Sequence, residues 1–184
     1  MILPITVYGD PVLRQVAKPV GPDYPELTDF LANMWETMYF ADGVGLAAPQ
    51  VGQSIRIFVI DASAGADEDP TLKDFRKAFI NPQIIEASGN QMFVEEGCLS
   101  LPEIRESVGR PDTVRIRYQD ENFEFHDETW SGFAARVIQH EYDHLEGKLF
   151  VDYLSPLKRK LLRGKLMNIT KGNINPHYKI RSPL

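Results

Sequence analysis

The stretch SGFAARVIQHEYDHLEG, residues 131–147, decides the fold, because the remaining elements are expected to pack around the helix that it predicts. We expect that helix to cover about Ser131–Leu145 and to be stopped by Gly147. His140 and His144 stand four residues apart, so a helix places their rings on one face with Cβ atoms roughly 5–6 Å apart. Two imidazole nitrogens can then converge on one divalent ion.

The single cysteine of the chain lies upstream, in the stretch Glu96-Gly97-Cys98-Leu99-Ser100. A catalytic metal site has three protein ligands and one open position, and the Cys98 thiolate would complete the set begun by the two histidines. Glu141 lies between those histidines in sequence and is placed to take a proton from water at the open position. The pattern therefore predicts metal-assisted hydrolysis.

Helices elsewhere are predicted from apolar spacing and from capping residues. Asp10-Pro11 indicates a short helix to about Val16, and Ser155-Pro156 caps a final helix. In that final helix we expect one apolar face, made of Leu157, Leu161, Leu162 and Leu166. Residues 26–41 predict an amphipathic helix whose buried stripe consists of Leu27, Phe30, Leu31, Met34, Met38 and Tyr39.

Strand-forming runs occur at residues 55–60, 79–86, 91–95, 113–119 and 123–125. We expect turns at Gly89-Asn90 and at Asp120-Glu121-Asn122, a pattern that is typical of antiparallel hairpins. Strands before and between helices indicate an α+β fold. The prediction is antiparallel β-sheets packed around a central helix that carries the HExxH pattern, with a C-terminal helix, in a single domain spanning residues 1–184.

The composition, 43% hydrophobic and 25% charged over 184 residues, is that of one folded globular domain. One cysteine excludes an internal disulfide, and residues 1–6 lack the basic region and the apolar run of a secretory signal. No run approaches the roughly 18 apolar residues of a membrane span. We therefore expect a soluble, cytoplasmic protein without a membrane partner.

The charges are distributed unevenly along the chain. All 26 Asp and Glu lie at or before Asp152, whereas eight of the 20 Lys and Arg follow it. This basic segment is either a solvated helix face or a contact for an anionic partner such as RNA. We hypothesise that residues 156–171 contact the ribosome, and we expect no DNA partner.

Three motifs together resemble the peptide deformylase family, of the bacterial type. They are GVGLAAPQ at 43–50, EGCLS at 96–100 and QHEYDHLEG at 139–147, and they occur in the family's order and approximate spacing. The resemblance covers nearly the whole chain. It implies an enzyme of protein biosynthesis that removes the N-formyl group from the N-terminal methionine of newly synthesised polypeptides and releases formate.

The resemblance also implies roles for particular residues. Cys98, His140 and His144 become metal ligands, Glu141 transfers protons, and the Gln50 amide and the Leu99 backbone N–H stabilise developing negative charge. Substrate contacts are implied at Val44, Gly45, Gly97, Leu99, Arg105, Phe133, Val137 and His140. Glu96 and Arg110 are the expected ion pair that supports the cysteine loop.

The ligand set and the family resemblance predict different metals. One cysteine and two histidines suit zinc by geometry and by relative affinity. Family resemblance instead points to Fe²⁺ in the cell, replaceable by Zn²⁺, Ni²⁺ or Co²⁺. The sequence alone would favour zinc.

Two other functions fit parts of the pattern. A zinc peptidase also uses HExxH, but such enzymes usually take a third histidine or a carboxylate where this chain offers Cys98. A binding module with a structural metal would need a fourth protein ligand, and neither His126 nor His177 has a suitable motif around it.

Overall fold

The computed structural model describes every residue of the sequence, 1–184, and contains two β-sheets. The strands are β1 (Ile5–Thr6), β2 (Gly45–Ala47), β3 (Ile57–Asp61), β4 (Arg76–Cys98), β5 (Leu101–Gln119), β6 (Phe125–Ser131) and β7 (Ile180–Arg181). Strands β2 to β6 form one sheet in chain order, and every neighbouring pair is antiparallel. Strands β1 and β7 form a separate parallel pair.

Four α-helices accompany the sheets: α1 (Leu27–Phe40), α2 (Gly132–Leu145), α3 (Pro156–Leu161) and α4 (Arg163–Thr170). Short 3₁₀ helices occur at Pro11–Arg14, Ala48–Val51, Ser63–Gly65, Pro70–Leu72 and Phe150–Tyr153. The predicted α+β fold is confirmed. None of the helices combines the length and the apolar composition that a membrane crossing requires.

Helix α2 has the bounds that the sequence predicts. Ala134 and Ile138 are fully buried on the face that packs with the aromatic side chains of Phe58 and Phe79 from the large sheet. Gly147 ends the segment with a φ of +71°, and a Cβ there would lie 2.6 Å from the carbonyl oxygen of Arg14. Only glycine fits this close approach, which fixes the direction of the chain after the helix.

The antiparallel hairpin of β4 and β5 differs from the prediction. Gly89-Asn90 is not a turn but lies inside β4, where the pairing register shifts between Ser88 and Gln91. Gly89 has a φ of +85°, the conformation of a bulge that bends a continuing strand. The true turn is Leu99-Ser100, which joins Cys98 to Leu101 across the hairpin.

The stripe predicted for α1 is largely but not fully buried. The buried members are Leu27, Leu31, Met34 and Met38, and Phe30 is partly buried. The prediction is wrong for Tyr39, which faces outward and donates a hydrogen bond from its hydroxyl to Asp61 at 2.6 Å. A tyrosine can satisfy helical spacing and still keep its polar end in solvent.

The predicted final helix is broken into α3 and α4 at Leu162. Its start is confirmed, since the Ser155 hydroxyl accepts a hydrogen bond from the Lys158 N–H at 3.2 Å. The expected apolar face is wrong in its first half, because Leu157 and Leu161 are 66% and 74% exposed. Leu162, where the helix is interrupted, and Leu166 in α4 are buried in an apolar cluster.

Candidate metal centre

Three side chains converge where α2 passes the end of β4. The potential ligand atoms of Cys98, His140 and His144 all lie within 4.8 Å of one another. The Cys98 Sγ atom is 3.4 Å from Nε2 of His144, and the two imidazole ring centres are 5.2 Å apart. The structure thus brings together the three residues that the sequence singles out as ligands.

Local structure fixes the position of the cysteine. Cys98 is the last residue of β4, directly before the Leu99-Ser100 turn. The Ser100 carbonyl oxygen accepts a hydrogen bond from the Tyr8 N–H at 2.9 Å, and the Ser100 hydroxyl accepts one from the Gln50 amide at 3.1 Å. These bonds hold the turn against two other segments of the chain.

The two histidines offer ring nitrogens to the same point but differ in protonation. Burial lowers the pKa of His140, yet hydrogen bonds with Cys98 and Glu96 raise it well above 6.5. His140 Nδ1 lies 2.8 Å from the Glu96 carboxylate, which orients the ring and leaves its Nε2 free for an ion. Burial, followed by the charge of His140, lowers the pKa of His144 well below 6.5, so this imidazole is neutral. Its Nδ1 atom is buried without a hydrogen-bond partner. One thiolate and two imidazoles therefore fit a divalent ion with an open fourth position.

Glu141 faces the same cavity from the neighbouring position on α2. The residue is buried, and its Oε2 atom has no hydrogen-bond partner. Burial is the largest cause that raises the pKa of Glu141 to about 7. The opposite wall is Gly45, where a Cβ would approach Oε1 of Glu141 to 2.7 Å.

Gln50 and the Leu99 backbone supply donors beside the cysteine. The Gln50 Oε1 atom accepts a hydrogen bond from the Ala47 N–H at 2.9 Å, which points its NH₂ group toward the turn. There Nε2 lies 3.4 Å from Cys98 Sγ and also donates to Ser100. The Leu99 N–H makes no backbone hydrogen bond and remains available to a ligand.

The predicted support pair Glu96–Arg110 is present and buried. Arg110 donates to both carboxylate oxygens of Glu96, at 2.7 and 3.0 Å. The sequence does not predict three further residues of this hydrogen-bonded network, namely Arg136, Asp143 and Tyr153. Arg136 donates to Glu96 at 2.7 Å, and Asp143 accepts from both Arg110 and Tyr153 at 2.8 Å. Helical spacing could have indicated two of them, because Arg136 and Asp143 lie four residues before and three residues after His140.

A cavity of about 620 Å³ opens beside the three converging side chains. All of the residues expected to contact substrate line it: Val44, Gly45, Gly97, Leu99, Arg105, Phe133, Val137 and His140. Arg105 also forms an exposed ion pair with Glu95 at 2.8 Å. Two lining residues, Pro176 and Tyr178, come from the C-terminal segment and were not expected from the sequence.

One wall of the cavity is a sheet edge. Strand β2 pairs with β3 on one side and ends the order of the five-stranded sheet on the other. Its free backbone groups can pair with an added strand. Gly97, at the other side of the cavity, is paired with Arg105 in the hairpin.

Comparison with known proteins gives one consistent result. The sequence model of the polypeptide deformylase family matches residues 2–160. Two similar relatives are the peptide deformylases of Christiangramia forsetii, 57% identical over 100% of this chain and 97% of the relative, and of Flavobacterium johnsoniae, 52% identical over 98% and 96%.

Solved structures agree with the sequence matches. A peptide deformylase from Legionella pneumophila is 40% identical, with a TM-score of 0.82 over 94% of this chain and 98% of that one. The peptide deformylase of Thermotoga maritima is 45% identical, with a TM-score of 0.76 over 85% and 99%. This chain therefore resembles these proteins in both sequence and fold.

Proposed function

The chain belongs to the polypeptide deformylase family, and on this basis we propose how its side chains carry out the reaction. The enzyme is a metal-dependent hydrolase that removes the N-formyl group from nascent peptides. The peptidase and the binding module considered from the sequence are therefore set aside. The observation that carries the proposal is the unpaired, buried carboxylate of Glu141 in the same cavity as Cys98 and His140.

We propose Cys98, His140 and His144 as the ligands of one divalent ion. When bound, such an ion polarises a carbonyl oxygen and lowers the pKa of a water molecule from about 15.7 toward about 7. We propose Fe²⁺ as the native ion on the family resemblance. The donor set supports replacement by Zn²⁺, Ni²⁺ or Co²⁺, since each of these ions accepts thiolate and imidazole ligands.

Glu141 is the proposed proton carrier. Its carboxylate accepts a proton from the attacking water as the new carbon–oxygen bond forms. It then donates that proton to the nitrogen atom as the carbon–nitrogen bond of the formamide breaks, so that a free amine and formic acid leave. The acid then loses the second proton of the water to solvent and becomes formate. An amine departs poorly without the proton from Glu141, which is why one buried carboxylate serves both steps.

The Leu99 N–H and the Gln50 amide are the proposed donors to the formyl oxygen, on which negative charge develops during attack. The Leu99 N–H has no competing backbone acceptor. The Gln50 NH₂ is held beside Cys98 by the bond from Ala47 to its other amide atom. Loss of one such donor typically costs about 2.7–4 kcal/mol of transition-state stabilisation.

The peptide part of the substrate is proposed to lie extended along the free edge of β2, beside Val44 and Gly45, with Gly97 on its other side. Phe133 and Val137 then lie along the same face of α2 as His140 and, with Leu99, supply an apolar pocket for the methionine side chain. Arg105 is at the cavity wall, where its ion pair with Glu95 is exposed and can open to meet the peptide.

Glu141→Gln tests the proposal. We expect formate release from a formyl-methionyl peptide to fall about 100- to 10,000-fold, because the amide cannot carry the proton. Metal content, measured after anaerobic purification, should be unchanged. A matched control is Glu146→Gln, which alters a carboxylate that pairs with Arg56 outside the cavity and should keep full turnover. Substantial activity in Glu141→Gln would contradict the assigned role.

We further propose that residues 1–184 act as one domain in the cytoplasm and that α3 and α4 contact the ribosome. Both helices present exposed cations that have no ion-pair partner in the protein: Arg159, Lys160, Arg163 and Lys165. Deleting residues 156–171 would remove buried core side chains, so charge substitution is the better test. Replacing the four cations by glutamine should weaken ribosome co-sedimentation most strongly at low salt.

The control for this test alters a different basic surface. Arg115→Gln combined with Arg117→Gln removes two exposed cations on β5 that pair with Asp127. This pair of substitutions should leave co-sedimentation unchanged. Equal binding of the fourfold variant and the unaltered enzyme at every salt concentration would reject the ribosome contact.

A further inference from the structure

After α4, residues 173–184 return to the cavity beside the three converging side chains, and we call this segment the strap. Its strand β7 pairs with β1, and the Ile5 N–H donates to the Lys179 carbonyl at 2.8 Å. The Val7 N–H continues the pairing with a bond to Arg181 at 3.2 Å. The match to the family's sequence model ends at residue 160, so the strap lies outside the matched region.

Two adjacent residues of the strap contact two different segments that line the cavity. The Tyr178 hydroxyl donates a hydrogen bond to the Leu99 carbonyl oxygen at 2.8 Å. His177 Nε2 donates to the Phe40 carbonyl at 3.0 Å and lies 3.3 Å from the Asp42 carboxylate, just before the segment that leads into β2. The strap therefore links the cysteine turn to the edge strand.

The bond from Tyr178 acts on the central peptide group of the turn. Leu99-Ser100 connects β4 to β5, and the orientation of the peptide between these two residues defines the type of a two-residue turn. Tyr178 holds that peptide by its carbonyl, while the Tyr8 N–H holds the next carbonyl, that of Ser100. The Leu99 N–H belongs to the preceding peptide, and it joins the held peptide through the Leu99 Cα, so holding these carbonyls restricts its rotation.

The ring of Tyr178 is itself held in place. It is partly buried against the apolar cluster beneath β2 and α1, and its ring centre is 5.4 Å from that of His177 in an edge-to-face arrangement. Pro176 and Tyr178 both line the cavity. The single hydrogen bond that the Tyr178 hydroxyl makes within the protein goes to this turn.

We propose that Tyr178 is a positioning residue for deformylation, because its hydroxyl fixes the turn from which the Leu99 N–H reaches the formyl oxygen. This inference rests on the proposed role of that N–H. The hydroxyl contributes to the transition state, in which the oxygen becomes charged, and much less to binding of the uncharged substrate.

Tyr178→Phe removes the hydroxyl and keeps the ring. We expect kcat to fall roughly five- to tenfold, the scale of one lost hydrogen bond, while KM and bound metal stay within about twofold. At equilibrium, a methionyl phosphonate with tetrahedral oxygens should bind more weakly by a similar factor, whereas the deformylated peptide product should bind as before. Hydrogen exchange of the amides at 99–101 should become faster.

Tyr118→Phe is the matched control. It also removes a hydroxyl with one strong bond, to Glu128 at 2.6 Å, but within β5 and β6 on another part of the sheet. This variant should lower the melting temperature without changing kcat or the ratio of phosphonate to product affinity. A general loss of stability would affect both variants alike, so the contrast isolates the turn.

The outcomes separate the two proposals. Unaltered enzyme that releases no formate from formyl-methionyl peptides would overturn the assigned reaction itself. Active unaltered enzyme, together with a Tyr178→Phe variant of equal kcat, equal phosphonate affinity and equal exchange at residues 99–101, would overturn the positioning role alone.

Discussion

The Glu96 carboxylate shows how a single residue can organise the proposed metal centre. Burial would raise the pKa of Glu96, but hydrogen bonds from His140 and Arg110 hold it well below its ordinary value of 4.5. Arg136 adds a bond to the same carboxylate and two more to the Val108 and Met92 carbonyls, at 2.8 and 2.7 Å. One arginine therefore joins the ligand helix to both strands of the long hairpin.

Arg136→Met should weaken both stability and metal binding. We expect a loss of about 2–3 kcal/mol in the free energy of unfolding, because a largely buried carboxylate loses a partner. Metal affinity should fall about 10- to 100-fold, as is typical when a group that orients a ligand is removed. Chemical denaturation and competition with a chelator measure the two effects.

The control for Arg136 is Arg115→Met, which removes an exposed ion pair with Asp127. It should change the free energy of unfolding by less than about 1 kcal/mol and leave metal affinity unaltered. If Arg136→Met behaved in the same way, the bonds of Arg136 to Glu96 and to the hairpin carbonyls would contribute little to stability or to metal affinity.

Gly45→Ala should displace Glu141. The added Cβ would lie 2.7 Å from Oε1 and 2.9 Å from Cγ of Glu141, so the buried side chain must move. We expect kcat to fall about 10- to 100-fold from the misplacement, with metal content unchanged. Gly164→Ala, where a Cβ meets nothing within 4 Å, should keep kcat and stabilise α4 slightly. Equal kcat in both variants would contradict the steric argument.

At this scale, local motifs predict the residues that face the cavity better than those that support them. Cys98, His140, Glu141 and Gln50 lie in short motifs whose spacing carries their chemistry. Tyr178 lies far along the chain from the Leu99 carbonyl that it holds, and no local pattern connects them. Contacts of that kind depend on tertiary structure.

At the scale of elements, periodicity predicts where a helix lies but not which face its neighbours cover. The position of α1, most of its apolar stripe and the bounds of α2 follow from the sequence, because buried side chains recur along both helices. The bounds of the hairpin do not follow from the sequence, because Gly89 suits either a turn or a bulge. The true turn, Leu99-Ser100, lacks the glycine or asparagine that signals most short turns.

The break between α3 and α4 gives a test with two adjacent leucines. Leu162→Ala should cost about 2–4 kcal/mol of the free energy of unfolding, since this side chain is buried with Leu166 and Ile169. Leu161→Ala should change it by less than about 0.5 kcal/mol, because Leu161 is exposed. Urea denaturation measures both. A larger loss for Leu161 would favour the continuous helix predicted from the sequence.

For the whole molecule, the proposed metal ligands come from both α2 and the hairpin, so metal binding should stabilise the folded protein. At a free metal concentration about 100 times the Kd, the gain is about 2.7 kcal/mol. Chelation should therefore lower the melting temperature, and added Ni²⁺ or Zn²⁺ should restore it. Cys98→Ala, which lacks one ligand, should respond much less. An equal response in Cys98→Ala would show that the stabilising ion binds elsewhere.

The α+β fold was predictable from the order of helices and strands, and so was the antiparallel sheet. The pairing of β1 with β7 was not, because each strand has only two residues and they come from opposite ends of the chain. Such short strands give no periodic signal. Their pairing nevertheless brings Tyr178 to the cavity.

That pairing has a consequence for biogenesis. The wall contributed by Pro176 and Tyr178 can form only after translation has passed both codons, after the proposed metal ligands have been synthesised. Contacts between such distant residues also form slowly during folding. A ribosome that stalls shortly before these codons would release a polypeptide able to capture its ion yet left with an unfinished catalytic pocket.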